Sequence, residues 1–249
     1  MKEDGHKAFD AYADDYDVAL ARGISVSGEE KDYFAQRRIE WVRDCLKPFS
    51  APVTRLMDFG CGTGSSAPLF FDILGVEHFV GTDQSEKSLE IARRAHSSER
   101  AEFLLFDAYQ PCGQFDVAFC NGVFHHIPPA ERTAAIDYVL RSLRPGGFFA
   151  FWENNPWNPG TRYVMSRIPF DREAITLSPP EARQLLRLSG FEILRTDFLF
   201  IFPRILNWCR WIEPLCSRLP FGAQYQVLCR KPMSFSARSP RAANHLSRV

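Results

Sequence analysis

The chain has 249 residues, enough for one α/β domain with a sizeable core, and thirty Lys and Arg against thirty Asp and Glu leave a formal net charge of zero. No global field then draws it to nucleic acid or to an anionic membrane. The seven cysteines are scattered and never spaced C-x-x-C, which argues against a disulfide framework or zinc cluster; with no secretory signal in MKEDGHKAFDAY and no stretch long enough to span a membrane, a soluble cytoplasmic protein is expected.

Residues 1 to 50 read as helical, with aromatic side chains at Phe9, Tyr12 and Tyr16 and again at Tyr33, Phe34 and Trp41, and are expected to lie as a lid across one end of a sheet. From Val53 onward, short apolar runs alternate with helical patterns: VTRLMDF, SAPLFFDIL, HFVGTD, EKSLEIARRA and EFLLFD. That alternation reads as βαβαβ, hence a parallel sheet. It continues with FDVAFC (115 to 120), a helix over 129 to 143 closed by Pro145, Gly146 and Gly147, and a strand FFAFWE (148 to 153). A helix over 178 to 190, capped by Ser178 and ended by Gly190, precedes FEILRTDFLFIF and a short QYQVLCRKP, which could pair antiparallel at a sheet edge. The serine- and arginine-rich end, 233 to 249, has too little apolar surface to order itself and reads as a disordered tail.

The run LMDFGCGTGSS joins the first strand to the first helix. A strand, a glycine turn and a helix make a nucleotide cradle, because missing side chains let a ligand approach the backbone and helix N–H groups point at it. Asp58-Phe59-Gly60-Cys61-Gly62-Thr63-Gly64 fits the (D/E)-x-G-x-G-x-G cradle of S-adenosyl-L-methionine (SAM), whereas a dinucleotide fingerprint finds Ser65 where its third glycine belongs. Asp58 would repel a pyrophosphate but accepts hydrogen bonds from an ammonium group. Asp83 follows Gly64 by 19 residues, the separation at which an acid meets ribose hydroxyls, and Asp107 closes the third strand, where it could accept from an adenine amino group.

With these residues in place, and with FDAYADDYD, FDVAFCNGVFHHIP and LRSLRPGGFFAFWE, the chain resembles the class I SAM-dependent methyltransferases, especially small-molecule enzymes of the ubiquinone and menaquinone type, from about Phe9 to Lys231. The resemblance implies a Rossmann-like, doubly wound, seven-stranded sheet, mostly parallel with an antiparallel last strand. A SAM-binding domain would cover 51 to 232, with a cap over about 154 to 222. It also implies that Asp58, Gly60, Cys61, Gly62 and Gly64 hold the methionine part, Asp83 with Gln84 the ribose, and Asp107 with Ala108 the adenine. Asn121 would border the cofactor, which leaves as S-adenosyl-L-homocysteine, and Tyr16 would cover it.

Methyl transfer is an in-line displacement at an activated carbon, so the enzyme supplies alignment and sometimes a base. The candidates are His125 and His126, whose imidazoles titrate near neutrality, and Glu153 at the end of the fifth strand. Either histidine could instead serve as a helix cap or simply face solvent. Adjacent histidines point apart on a helix or strand, so no metal site is expected. Asn154-Asn155-Pro156-Trp157-Asn158-Pro159 offers amides and an indole to an acceptor, or forms Asx-Pro turns with no ligand. Asn155-Pro156-Trp157 is superficially similar to a motif of adenine and glutamine N-methyltransferases, but it follows the wrong strand, and with no basic stripe a nucleic-acid substrate is not expected.

Within 204 to 219, Ile205, Trp208, Cys209, Ile212, Leu215, Cys216 and Leu219 form an apolar stripe at helical spacing, with Arg204, Arg210 and Arg218 opposite and a kink expected at Pro214. The stripe either packs on the core or a substrate, or rests on a membrane surface. The expected function is methyl transfer from SAM to a small-molecule acceptor, lipid-like or aromatic; a non-catalytic SAM-binding scaffold and a nicotinamide-dependent oxidoreductase are the alternatives.

Overall fold

The computed structural model describes residues 23 to 50, 52 to 172 and 174 to 233. Phe9, Tyr12 and Tyr16 of the expected lid, and the tail from 234 onward, lie outside the described residues.

Seven strands form one sheet: β1 (Arg55–Phe59), β2 (His78–Asp83), β3 (Ala101–Leu105), β4 (Phe115–Asn121), β5 (Leu143–Asn154), β6 (Glu192–Leu199) and β7 (Gln224–Arg230). Their order is β3-β2-β1-β4-β5-β7-β6. β3, β2, β1, β4 and β5 pair in parallel, and β7 inserts antiparallel between β5 and β6. The last two strands therefore pair antiparallel as expected, but the edge of the sheet is β6, and β7 is paired on both sides.

Strands β4 and β5 read VAFC and FFAFWE because helices cover both of their faces. On one face, α1 (Lys31–Leu46), α2 (Ala67–Leu74) and α3 (Glu86–His96) bring Ile39, Val42, Phe70 and Leu89 onto Phe79, Phe119 and Trp152. On the other, α4 (Arg132–Ser142) and α6 (Pro179–Leu188) bring Ile136, Leu140 and Leu186 onto Ala118, Phe149 and Val227. The remaining helices, α5 (Pro159–Arg167) and the single turn α7 (Glu213–Cys216), lie in the connections flanking α6 and β6.

Caps set the boundaries locally. The Ser85 side chain accepts from Ser88 N–H at the start of α3, and Ser178 forms a reciprocal capping box with Glu181 at the start of α6. Helix α4 ends at Ser142, one residue before the expected end, because Leu143 already pairs with Phe115; residues 144 to 147 then bulge out before pairing resumes at Phe148 opposite Val117.

Of the expected lid over 1 to 50, the described residues carry α1. The C-terminal half of α1 is core, with Trp41 donating its indole N–H to the buried Asp197 carboxylate at 3.2 Å, while Tyr33 and Phe34 pack edge-on against Phe200, their ring centroids 6.4 and 4.9 Å from it. Phe200 holds the left-handed backbone (φ 63°), a conformation that costs an aromatic residue on the order of 1 kcal/mol or more. Of the segment 154 to 222, α6 and β6 belong to the sheet and its cover; the stretches on either side of them overlie its carboxyl edge.

Candidate active site

The strand order reverses between β1 and β4, so their carboxyl ends flank the crevice where an open α/β sheet receives a ligand. The loop leaving β1 is tied down by its own backbone. Gly60 and Cys61 N–H both donate to Thr82 O, at 2.7 and 3.0 Å, and Gly62 N–H donates to Asp83 Oδ2 at 2.9 Å. Asp83 Oδ1 also accepts from Ser85 N–H at 2.9 Å, so one carboxylate fixes both the glycine loop and the start of α3.

The glycines differ in purpose. A Cβ on Gly60 would lie 2.3 Å from Val123, and one on Gly64 2.7 Å from Phe103, so these two allow close packing within the protein. At Gly62, with φ +54°, a Cβ would meet nothing within 4 Å, so its missing side chain leaves room for a ligand. Asp58 is buried at the end of β1; burial, and then the charge of Asp83, push its carboxyl up to about 8. A group so placed gains from a cationic ligand. Across the crevice, Asn121 Oδ1 is buried with no hydrogen-bond partner among the described residues. An open cradle, a buried acid at the end of β1 and an orphaned acceptor fit the methionine end of SAM. Cys61 is half-buried beside the cradle, its thiol pushed well up by burial, and Gln84 is half-buried after Asp83. Asp107 and Ala108 are exposed in a turn on the same edge, because β3 ends at Leu105, two residues earlier than the position given to Asp107. Tyr16 lies outside the described residues.

The histidine pair is built differently from its expectation. Residues 124 to 127 form a turn, where neighbouring side chains need not diverge, and the two rings lie with centroids 4.0 Å apart and planes tilted by 55°. Glu153, buried on β5, accepts Phe124 N–H at 2.7 Å through Oε1 and His125 Nδ1–H at 2.6 Å through Oε2. On the other side stands Asp171, with Oδ1 3.5 Å from His125 Nε2 and 3.3 Å from His126 Nε2. Burial disfavours charge on His125, but Glu153 and then Asp171 outweigh it and raise the imidazole to about 10. His125 is thus a buried imidazolium at neutral pH and no proton acceptor. His126 is lowered, by burial first and also by the charge of His125, against the pull of Asp171. It is neutral at neutral pH, and its contact to Asp171 assigns the proton to Nε2 and the lone pair to Nδ1. One ring nitrogen of each histidine and a carboxylate oxygen of Asp171 lie within 4.8 Å of one another, so the premise that excluded a shared cation does not hold.

Both histidines line a cavity of about 410 Å3 that begins at Asn121 and Gly122 and runs under α1 and α5, with Phe34, Val164, Met165 and Phe200 among its apolar walls. Glu153 does not reach it; it orients His125. Asp171, in SRIPFDREA, escaped the sequence reading, since a lone acid after a proline in a loop carries no periodic signal. The polar run after β5 is mostly structural. Asn155, fully buried, donates to Pro220 O and Gly222 O and accepts from Trp157 N–H, and Asn158 caps α5 by accepting from Thr161 N–H at 3.0 Å. These are Asx turns; Asn154 and Asn158 also line the cavity, whereas the Trp157 indole is half-exposed outside it.

Residues 56–147 match a family model described as a methyltransferase domain. The trans-aconitate 2-methyltransferase of Azoarcus sp. is 30% identical over 140 residues, 55% of this chain and 53% of that protein, so the chain spans about half the length of this relative. The ubiquinone biosynthesis O-methyltransferase of Thiobacillus denitrificans is 30% identical over 172 residues, 62% of this chain and 70% of that one. A solved SAM-dependent methyltransferase from Thermotoga maritima shares the fold, with a TM-score of 0.60 at 22% identity over 91% of this chain and 99% of its own. Together with a cradle that fits SAM, these likenesses place the chain in the class I SAM-dependent methyltransferase family.

Proposed function

We propose that this protein transfers a methyl group from SAM to an oxygen of a small, largely apolar acceptor, and that His126 takes up the acceptor's proton. The observation that carries this reading is the partly buried His126 imidazole on the wall of the cavity that opens beside Asn121, held there by Asp171 and with its pKa lowered by burial. A cavity of about 410 Å3 with mostly apolar walls suits a small organic molecule. The relative in ubiquinone biosynthesis is named an O-methyltransferase, which agrees with an oxygen acceptor.

Bound SAM supplies a methyl carbon activated by positive sulfur. In this reading Asp58 and the backbone around Gly60, Cys61 and Gly62 hold its methionine end, Asp83 with Gln84 its ribose, and Asp107 with Ala108 its adenine. Asn121 Oδ1 takes a donor from the bound molecule. As the acceptor oxygen is methylated, its proton passes to His126 Nδ1, while Asp171 holds Nε2–H and keeps the ring in the correct tautomer. Glu153 and His125 are positioning residues: the charged His125 cannot leave the space between two carboxylates, so it fixes Asp171 and with it His126. Among the described residues, Tyr33 and Phe34 of α1 serve as lid over the cavity, and 155 to 172 with 200 to 213 form the cap. The seven cysteines are free thiols, which agrees with a cytoplasmic setting.

The test is transfer of labelled methyl from SAM to a panel of phenols and hydroxy acids, with His126→Gln beside the wild type. Transfer that falls about a hundredfold in the variant at unchanged SAM affinity supports the reading. SAM binding with no transfer to any lysate component would leave a binding scaffold, and binding of NADH instead would mean an oxidoreductase.

A further inference from the structure

The connection from β6 to β7 leaves a surface unlike the rest of the molecule. It does not form the single amphipathic helix that its spacing predicts. Residues Arg204–Ile212 wind as 3-10 turns interrupted at Leu206 (φ −109°, ψ 26°), and Pro214 sits in the first turn of α7, where its missing N–H costs nothing and no kink results. The inner side is pinned to the sheet: buried Glu213 accepts Ile201 N–H at 2.7 Å, and Ser217 O accepts Phe198 N–H at 2.7 Å. Half-buried Cys209, Ile212 and Cys216 face inward.

The outer side is bare. Ile205, Trp208, Trp211 and Leu215 are 84%, 70%, 76% and 79% exposed, with Leu219 and Phe221 alongside. Isolated exposed apolar residues are ordinary, but two indoles and two long aliphatic side chains within eleven residues are not. The charges around them have one sign. Between 203 and 221 the chain carries Arg204, Arg210 and Arg218, and its one carboxylate, Glu213, is buried. Arg210 pairs with Glu29 at 2.8 Å; Arg204 and Arg218 are exposed at the rim, Arg204 donating to Gly28 O at 3.2 Å and Arg218 to Thr196 O at 3.1 Å with its Nε 3.6 Å from Asp197. The same segment lines the cavity through Phe202, Pro203 and Arg210.

We propose that this face docks on the surface of an anionic lipid bilayer. The tryptophans and aliphatic side chains enter the boundary between headgroups and acyl chains, and Arg204 and Arg218 meet the lipid phosphates. Indoles suit that depth because one edge is apolar and the N–H stays in contact with water. A chain of zero net charge has no long-range attraction to such a surface, so the two exposed arginines of 203 to 221, a stretch with no exposed carboxylate of its own, give the face its preference for anionic lipid. Docking brings the cavity wall at 202 to 210 against the bilayer, from which an apolar acceptor can enter without crossing water. The docking itself does not depend on the reaction assigned above.

The experiment is flotation of the full chain with vesicles of phosphatidylcholine, alone or mixed with phosphatidylglycerol, for the wild type and for Trp208→Ser/Trp211→Ser. The wild type is expected to float with the mixed vesicles, with a blue shift of tryptophan emission, and to be released by salt. The double variant is expected to bind roughly tenfold or more weakly, with unchanged SAM affinity and thermal midpoint, since neither indole packs inside the protein. Arg204→Glu/Arg218→Glu gives a second reading, with binding to the anionic vesicles alone reduced. No flotation with either vesicle, flotation indifferent to both double variants, or a dimer in sedimentation that the tryptophan variant dissolves would each overturn the proposal, the last by making this face an interface between two copies.

Discussion

Replacing Glu153 by Gln keeps the shape of the side chain and its acceptance of Phe124 N–H, and removes only the charge that faces His125 at 2.6 Å. Raising an imidazole from 6.5 to about 10 corresponds to roughly 5 kcal/mol, at ~1.4 kcal/mol per tenfold, supplied by Glu153 and Asp171 together. The Glu153 share, as one partner of a fully buried pair, is roughly 3 kcal/mol. The sign follows from linkage. A histidine whose folded pKa lies above its unfolded one stabilises the fold in full below about 6.5 and loses that contribution as the pH rises through about 10. Glu153→Gln is therefore expected to lose roughly 3 kcal/mol of unfolding free energy at about pH 6 and less than about 1 kcal/mol at about pH 10. Urea denaturation of both proteins across that range measures it. A loss that stays the same at both ends, or one below about 1 kcal/mol at about pH 6, would refute the charged state assigned to His125.

Further outcomes follow from the cradle and the second histidine. His126→Ala is expected to lower kcat by about 10²- to 10⁴-fold with SAM affinity intact. Because only the neutral ring accepts a proton, wild-type kcat/KM should climb through a value below 6.5 and then level off; a rate that falls between about pH 6 and 7.5 would remove His126 from the chemistry. Asp58, protonated below about 8 without ligand, should ionise against the cofactor's ammonium, so calorimetry near pH 6.5 in buffers of different ionisation heat should show about one proton released, and none in Asp58→Asn. Gly62→Val should fold with a strain of roughly 1–2 kcal/mol yet lose cofactor binding, whereas Gly64→Ala, whose Cβ would press on Phe103 at 2.7 Å, should lose stability first. Equal melting points with equal loss of affinity in the two variants would contradict the division of roles among the glycines.

Much of this protein can be read from neighbouring residues. The turn from Asp58 to Gly64 and the alternation of apolar runs between Val53 and Glu153 express local backbone demands, which only residues at those positions can meet, so they give the parallel sheet and its cradle directly. The same holds for Ser178 and Glu181 at a helix start. The insertion of β7 between β5 and β6 was not legible, because antiparallel pairing says nothing about which partner takes the edge. Nor was the character of the catalytic candidates. His125 and His126 look alike in sequence, and what separates a buried imidazolium from a neutral base is Glu153, 28 residues away, and Asp171, which a loop returns to the same turn. The amides of Asn155 and Asn158 donate to carbonyls at 220 to 222, and Trp208, in a stripe that read equally as core or as membrane face, points to solvent with Trp211. Sequence fixes what each stretch of backbone must do next to itself; which distant groups share a buried site, and so which proton stays and which face remains bare, is settled only when elements pack, because charge and burial act through space and not along the chain.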